Sequence, residues 1–303
     1  MTKRVFIPLA ALALLACANP KPAESAQPGT SADDYREQPP TSLLSRPPGL
    51  KYLWLPTPPQ ARQSLAVRFP APAGCQRIPV AAGSWGEWLR WLPLQPAGTV
   101  ARTYLGARKA RQEVVAAVVN IDTGTQDLQQ CADAVIRLRA EYVFSHDPNK
   151  VHFHFTTGYD FWFSDFVAGK TFKVVGEEVL PAKRPAELPT HAALARYLIP
   201  TFGYAGTLSL SRELASKPLG AVQPGDVLIH GGAPGHAVLV VDVAENMKTH
   251  RKFMLLAQSY MPAQDMHLLQ PDEGRSAWFA VDTESDILTT PEWDFGADEL
   301  KSF

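Results

Sequence analysis

PGDVLIHGGAPGHAVLVV, residues 224–241, reads as strand, glycine-rich turn, strand. Val227, Leu228 and Ile229 form a short apolar run, and Gly231, Gly232, Pro234 and Gly235 break it. Ala237 to Val241 is then almost purely aliphatic and β-branched, the composition of a strand buried in a sheet. His236 stands at the first position of that strand. A histidine between a tight turn and a buried strand is held by backbone, and it titrates nearest neutral pH. It serves either as an acid–base group or as a partner for a turn carbonyl.

Downstream, a polar turn over residues 246–250 leads to a strand over 253–258. A hairpin centred near Met247 predicts His236 opposite Gln258 or Ser259. The Gln258 amide oxygen then accepts the imidazole Nδ1–H and fixes the tautomer. Asp242 shares the strand parity of His236 but lies about 20 Å along the strand, too far to orient it. QSYMPAQ (258–264) turns at Pro262, and short strands are predicted over 266–269 and 278–281. TPEWDF (290–295) reads as a packed tail with an aromatic plug.

Upstream, DLQQCADAVIRLRAEY (127–142) carries Leu128, Cys131, Val135, Leu138 and Tyr142 at alternating spacings of three and four, one face of a helix. Asp127 and Gln130 are the expected capping pair. Cys131 therefore falls in the first helical turn, on the side that meets the core. Free N–H groups and the helix dipole there favour a thiolate. The same N–H groups, helped by Gln126 or Gln130, can hold an oxyanion. The competing reading is a cysteine packed as a small hydrophobe.

Between and before these elements, SWGEWLRWL (84–92) is a short helix with Ser84 as N-cap and Glu87 as its capping-box partner. Its Trp85, Trp88 and Leu92 make a core stripe. VVAAVVNI (114–121) is an apolar strand. VHFHF (151–155) alternates, with Val151, Phe153 and Phe155 on one face and His152 and His154 on the other. Two histidines on one strand face can ligate a metal, but no third ligand follows at a recognisable spacing, so no metal is assigned. The aromatic stretch 156–166 packs a core or lines a groove with Tyr159 and Trp162. Residues 169–190 read as a surface excursion, 191–198 as a helix ended by Pro200, 203–207 as a turn, and 208–215 as a helix capped by Thr207 or Ser209.

The chain has 303 residues, a formal charge of −1 and 46% hydrophobic content, which suits one large domain and offers no basic excess for nucleic acid. Lys3 and Arg4, the apolar run 5–16 and the ending Leu14-Leu15-Ala16-Cys17 resemble the signal and lipobox of bacterial lipoproteins. That resemblance implies cleavage before Cys17, its acylation, and a lipid anchor to a membrane. Ala18 after the cysteine implies the outer membrane by the Gram-negative sorting rule. Residues 18–48, rich in Pro, Ala, Ser, Gln and Thr, read as a disordered tether, and 49–303 as a single domain. Cys75 and Cys131 remain, and in an oxidising compartment they are also candidates for a disulfide.

A cysteine at a helix start, a histidine opening a buried strand and an amide on the next strand resemble the papain-like cysteine hydrolases. Gly225-Asp226-Val227 followed by Gly235-His236-Ala237 is most similar to the NlpC-type cell-wall peptidases and their amidase relatives. Over about residues 113–260 the resemblance implies an α+β, papain-like (NlpC-type) core, with a mixed or antiparallel sheet packed on the Cys131 helix. It implies Cys131 as nucleophile, His236 as base and acid, and Gln258 as orienting residue. The cysteine motif departs from the family's usual Asp-Cys-Ser-Gly, since here it is Gln130-Cys131-Ala132-Asp133. WLRWLPL (88–94), residues 127–142, YAGTLSL (204–210), 225–244 and LLAQSYMPAQ (255–264) together resemble a family of bacterial lipoproteins of unknown function. The resulting expectation is an envelope cysteine hydrolase or acyl transferase acting on an amide bond, such as one in peptidoglycan peptides, with no cofactor. The alternatives are a non-catalytic envelope scaffold on the same core and a metal-dependent hydrolase using His152 and His154.

Overall fold

In the computed structural model, residues 45–176, 178–271 and 276–303 are described, and the leader, Cys17 and most of the tether lie outside them. The described residues belong to one unit, Gln38–Phe303. None of their helices is long and apolar enough to cross a membrane.

Among the described residues, helix α1 (Leu65–Arg68) is followed by strand β1 (Cys75–Arg77) and helix α2 (Trp85–Arg90). Ser84 Oγ accepts from Glu87 N at 3.2 Å, as an N-cap does, while the Glu87 carboxylate accepts from Gly83 N at 2.6 Å, one residue before the expected partner. Trp88 and Leu92 are fully buried, and Trp85 stacks on Trp88. Strand β2 (Val115–Val118) leads to helix α3 (Cys131–His146).

A polar and aromatic stretch follows: β3 (His152–His154), β4 (Asp160–Trp162), α4 (Phe163–Val167), β5 (Lys170–Val175) and β6 (Glu178–Lys183). The surface excursion expected at 169–190 is thus a regular two-stranded hairpin, mostly exposed. Helix α5 (His191–Tyr204) runs through Pro200 rather than ending there. The lost hydrogen bond would have gone to the carbonyl of Arg196, an exposed residue, so the missing bond falls on the solvent side of the helix. Helix α6 (Thr207–Glu213) has Gly206 as N-cap, and Ser209 Oγ accepts from Gly206 N at 3.0 Å.

The remaining strands are β7 (Ala215–Ser216), β8 (Val227–His230), β9 (His236–Asn246), β10 (Lys252–Gln258), β11 (His267–Leu269), β12 (Phe279–Ala280), β13 (Ile287–Thr289), β14 (Asp294–Gly296) and β15 (Leu300–Ser302). The main sheet runs β2-β11-β10-β9-β8-β15-β7, with β1 also on β9 and β12 also on β10. All its pairings are antiparallel, so the fold is α+β.

Alternation along β9 explains how its first nine residues, His236 to Ala244, can all be buried. Ala237, Leu239 and Val241 enter the larger core with Val135 and Leu138 of α3. Val238, Val240 and Val243 enter a second core with Leu228, Leu256 and Phe295. Each face is covered, so the strand reads as a continuous apolar run. The exception is Asp242, which has no exposed surface and lies at a bulge opposite Leu255. Arg77 Nε and Arg90 Nε donate to its two oxygens at 2.5 and 2.9 Å, so the charge is paired inside the fold.

Candidate functional site

Helix α3 starts at Cys131, four residues later than the expected cap at Asp127. Gln130 is the N-cap, and its N–H donates to Asp133 Oδ2 at 3.0 Å. Asp127 has a different task. It accepts from Gln130 Nε2 at 3.1 Å and from Ala263 N at 2.6 Å, tying the 258–264 loop to the helix entry. Ser259 Oγ reinforces that tie, 3.0 Å from the Gln129 carbonyl. Arg137, buried on the next turn, donates to Glu141, Gln129 and Asp122 at 2.9, 3.1 and 3.0 Å. The Cys131 turn is therefore fixed from three sides.

On the other side of the site, the Gly231–Gly235 turn packs on α6. A Cβ on Gly235 would stand 2.3 Å from Thr207 Oγ1 and 2.5 Å from the Gly232 carbonyl, so only glycine fits immediately before His236. Asp226 of the Gly-Asp pair is structural: it accepts from Lys217 Nζ at 2.7 Å and Gln223 N at 2.8 Å and closes the turn that starts β8.

His236 is 2% exposed, and its Nε2 lies 2.8 Å from Gln258 Oε1. Gln258 was expected to hold Nδ1; it holds Nε2 and leaves Nδ1 clear of that bond. The register also differs from expectation. Ala257 pairs with Leu239 and Leu256 with Val240, which would place Tyr260, not Gln258, opposite His236. Gln258 reaches His236 diagonally, while the Tyr260 ring lies 5.1 Å from the imidazole.

The network continues past Gln258. Its Nε2 donates to Glu292 Oε2 at 2.6 Å, and Lys109 Nζ donates to Glu292 Oε1 at 2.6 Å. The Lys109 and Glu292 side chains are 5% and 6% exposed. Lys109 also lies over the Tyr260 ring. The aromatic plug closes this side, with Trp293 and Phe295 rings 5.4 and 6.0 Å from that of His236. Burial lowers the His236 pKa, opposed by the Gln258 bond and the Glu292 charge, so the ring is neutral at neutral pH. Sequence reading missed Lys109, Tyr260 and Glu292. The only available signal was the presence of Glu292 inside the polar–aromatic tail.

The Cys131 thiol lies at the N-terminal end of β9, facing the backbone N–H of Ala237 beside His236. Burial raises its pKa, and the N–H groups of Ala237 and Ala132 only partly oppose this. The helix start therefore does not yield a resting thiolate; desolvation outweighs it. Cys131 and His236 both lie near the N-terminal end of β9 and make no hydrogen bond to each other. Strand parity places His236 on the face of Trp293 and Phe295, opposite Ala237.

Gln126 is exposed near the helix entry, whereas Gln130 is engaged with Asp127. Tyr159 packs with Phe155, Phe161 and Phe172, and Trp162 stacks on His152 at 4.0 Å, so neither belongs to the His236 cluster. Cys75 and Cys131 are both free. Cys75 pairs with Asn246 at the far end of β9, about 30 Å from Ala237 at ~3.3 Å per residue, which rules out a disulfide between them.

Comparison with curated proteins and with solved structures finds no match. The profile of the family described as Domain of unknown function (4846) matches residues 65–302, most of the chain, and the protein belongs to that family.

Proposed function

We propose that this domain is a papain-like cysteine hydrolase or acyl transferase of the cell envelope, acting on an amide bond of a peptide such as a peptidoglycan stem. The observation that carries the reading is the Gln258–His236 bond through Nε2, with Cys131 at the first position of a helix and its thiol at the N–H of Ala237, the residue after His236. It leaves Nδ1 outside that bond, as proton transfer from a thiol requires. In the proposed reaction, Cys131 passes its proton to His236 Nδ1 as Sγ attacks the carbonyl carbon. N–H groups at the start of α3 receive the oxyanion, with Gln126 as a further donor. The imidazolium then protonates the leaving amine, and water or an acceptor amine resolves the thioester. Because the resting pair is a neutral thiol and a neutral imidazole, proton transfer accompanies attack. Apo hydrogen bonds of this kind commonly tighten only when substrate is bound. The leader ending at Cys17 supports a lipid anchor on the outer membrane, facing the periplasm.

A second reading, a non-catalytic envelope scaffold on the same core, is favoured by the raised Cys131 pKa and by the aromatic cover over His236. The test is incubation of the full-length protein in detergent with a peptidoglycan digest, with products identified by mass spectrometry. Amide cleavage or exchange lost in both Cys131→Ala and His236→Ala supports the enzyme. No turnover, or turnover unchanged in both variants, favours the scaffold.

A further inference from the structure

The histidine pair of β3 has a third partner that no sequence spacing reveals. Glu213, the last residue of α6, comes to the exposed face of the β3–β4 hairpin. One ligand atom each from His152, His154 and Glu213 lies within 4.8 Å of the others. His154 Nδ1 stands 3.3 Å from Glu213 Oε2. That nitrogen is buried yet makes no hydrogen bond, an orphaned donor–acceptor atom aimed at a carboxylate. Two ligands bound to one tetrahedral zinc at about 2.0–2.1 Å stand roughly 3.3–3.4 Å apart. The His154–Glu213 separation already fits, and a His152 ring nitrogen lies within 4.8 Å of both partners.

The surrounding groups hold the donors as a metal site requires. Asp160, opposite His154 across the hairpin, places Oδ1 3.8 Å from His154 Nε2, so the carboxylate faces the ring nitrogen that would not bind metal. Trp162 donates from Nε1 to Asp160 Oδ2 at 2.6 Å and stacks flat on the His152 ring, limiting its rotation. A pocket of about 230 Å³ borders His152 and Glu213.

We propose that His152, His154 and Glu213 bind one divalent transition-metal ion, zinc in the first instance, with water as the fourth ligand. Two imidazoles and one carboxylate suit zinc better than calcium or magnesium, which take oxygen ligands. The site is separate from Cys131 and does not depend on the hydrolase reading.

The test uses full-length protein in detergent, stripped with chelator and titrated with Zn²⁺ against a chromophoric competitor. The expected result is one bound equivalent, a raised melting temperature with zinc, and a tetrahedral ligand-field spectrum with Co²⁺. His154→Asn and Glu213→Gln should each weaken binding about tenfold or more, while Cys131→Ala binds as wild type. If His154→Asn does not fold, as judged by circular dichroism, His152→Asn takes its place beside Glu213→Gln. No bound equivalent, or binding untouched by the substitutions, overturns the proposal.

Discussion

Gln258 holds His236 through Nε2, with the amide oxygen 2.8 Å from the ring and the amide nitrogen 2.6 Å from Glu292. The amide cannot flip without setting its NH₂ against a protonated ring nitrogen and its oxygen against a carboxylate. Glu292 therefore sets the orientation of the amide, and the amide sets the tautomer of the histidine. Gln258→Ala should free the ring: the Nδ1/Nε2 tautomer ratio, read from imidazole nitrogen shifts, should move towards a mixture. Any turnover should fall about tenfold or more while the fold persists. An unchanged tautomer ratio would count against this chain of orientation.

Glu292 and Lys109 form a buried pair far apart in sequence. Removing one charge leaves the other uncompensated in a dry site, which costs about 3–5 kcal/mol. Glu292→Gln should lower unfolding stability by that order in a urea titration. Lys109→Met combined with Glu292→Gln should recover part of the loss, because no lone charge then remains.

Asp242 is the matching case on the other side of β9, between Arg77 and Arg90. Asp242→Asn should destabilise by about 3–5 kcal/mol and leave two buried guanidinium groups short of a counter-charge. A change below about 1 kcal/mol, the scale of a surface pair, would show the site to be solvated.

The pH dependence of stability has two opposing parts. His267 is fully buried, and burial lowers its pKa to about 4, so the folded state holds it neutral while the unfolded state binds the proton. Its contribution is complete above the ordinary histidine value and is lost as pH falls from about 6.5 to 4, about 3 kcal/mol in all. His236, also lowered by burial, acts in the same direction. Asp133 is raised by burial to about 8, so its contribution is present below the ordinary carboxylate range and is lost as pH rises towards 8. Asp133→Asn should flatten the decline of a melting-temperature profile between about pH 6.5 and 8 and steepen its rise between about pH 4 and 6.5, where the Asp133 and His267 effects otherwise oppose each other.

The raised Cys131 pKa fixes its reactivity. Alkylation by iodoacetamide should be slow at pH 7 and climb above the ordinary thiol range, since the thiolate is the nucleophile. Peptide mapping after labelling assigns the rate to Cys131 or Cys75. Fast labelling of Cys131 at pH 6 would show that the N–H groups at the helix start outweigh burial.

Much of the scaffold was legible from local pattern. The 3–4 periodicity after residue 127 marks α3, the glycine turn and aliphatic run mark β8 and β9, and the alternation of VHFHF marks β3. Errors fell where one local signal competed with another. Asp127 has the chemistry of an N-cap, but its carboxylate is drawn to Ala263 N, and Gln130 caps instead. Pro200 signals a helix end, yet its missing hydrogen bond falls at exposed Arg196, on the solvent side, and the helix runs on.

By itself, the sequence determined that Cys131 lies in the first turn of a helix and that His236 opens a buried strand, because periodicity and turn chemistry act within a few residues. Only the tertiary structure decided that Gln258 takes Nε2, that Glu292 and Lys109 stand behind it, that Cys131 rests as a thiol, and that Glu213 joins His152 and His154. Those outcomes depend on strand register and burial, which are set by contacts between residues 20 to nearly 200 positions apart. No local pattern carries that information.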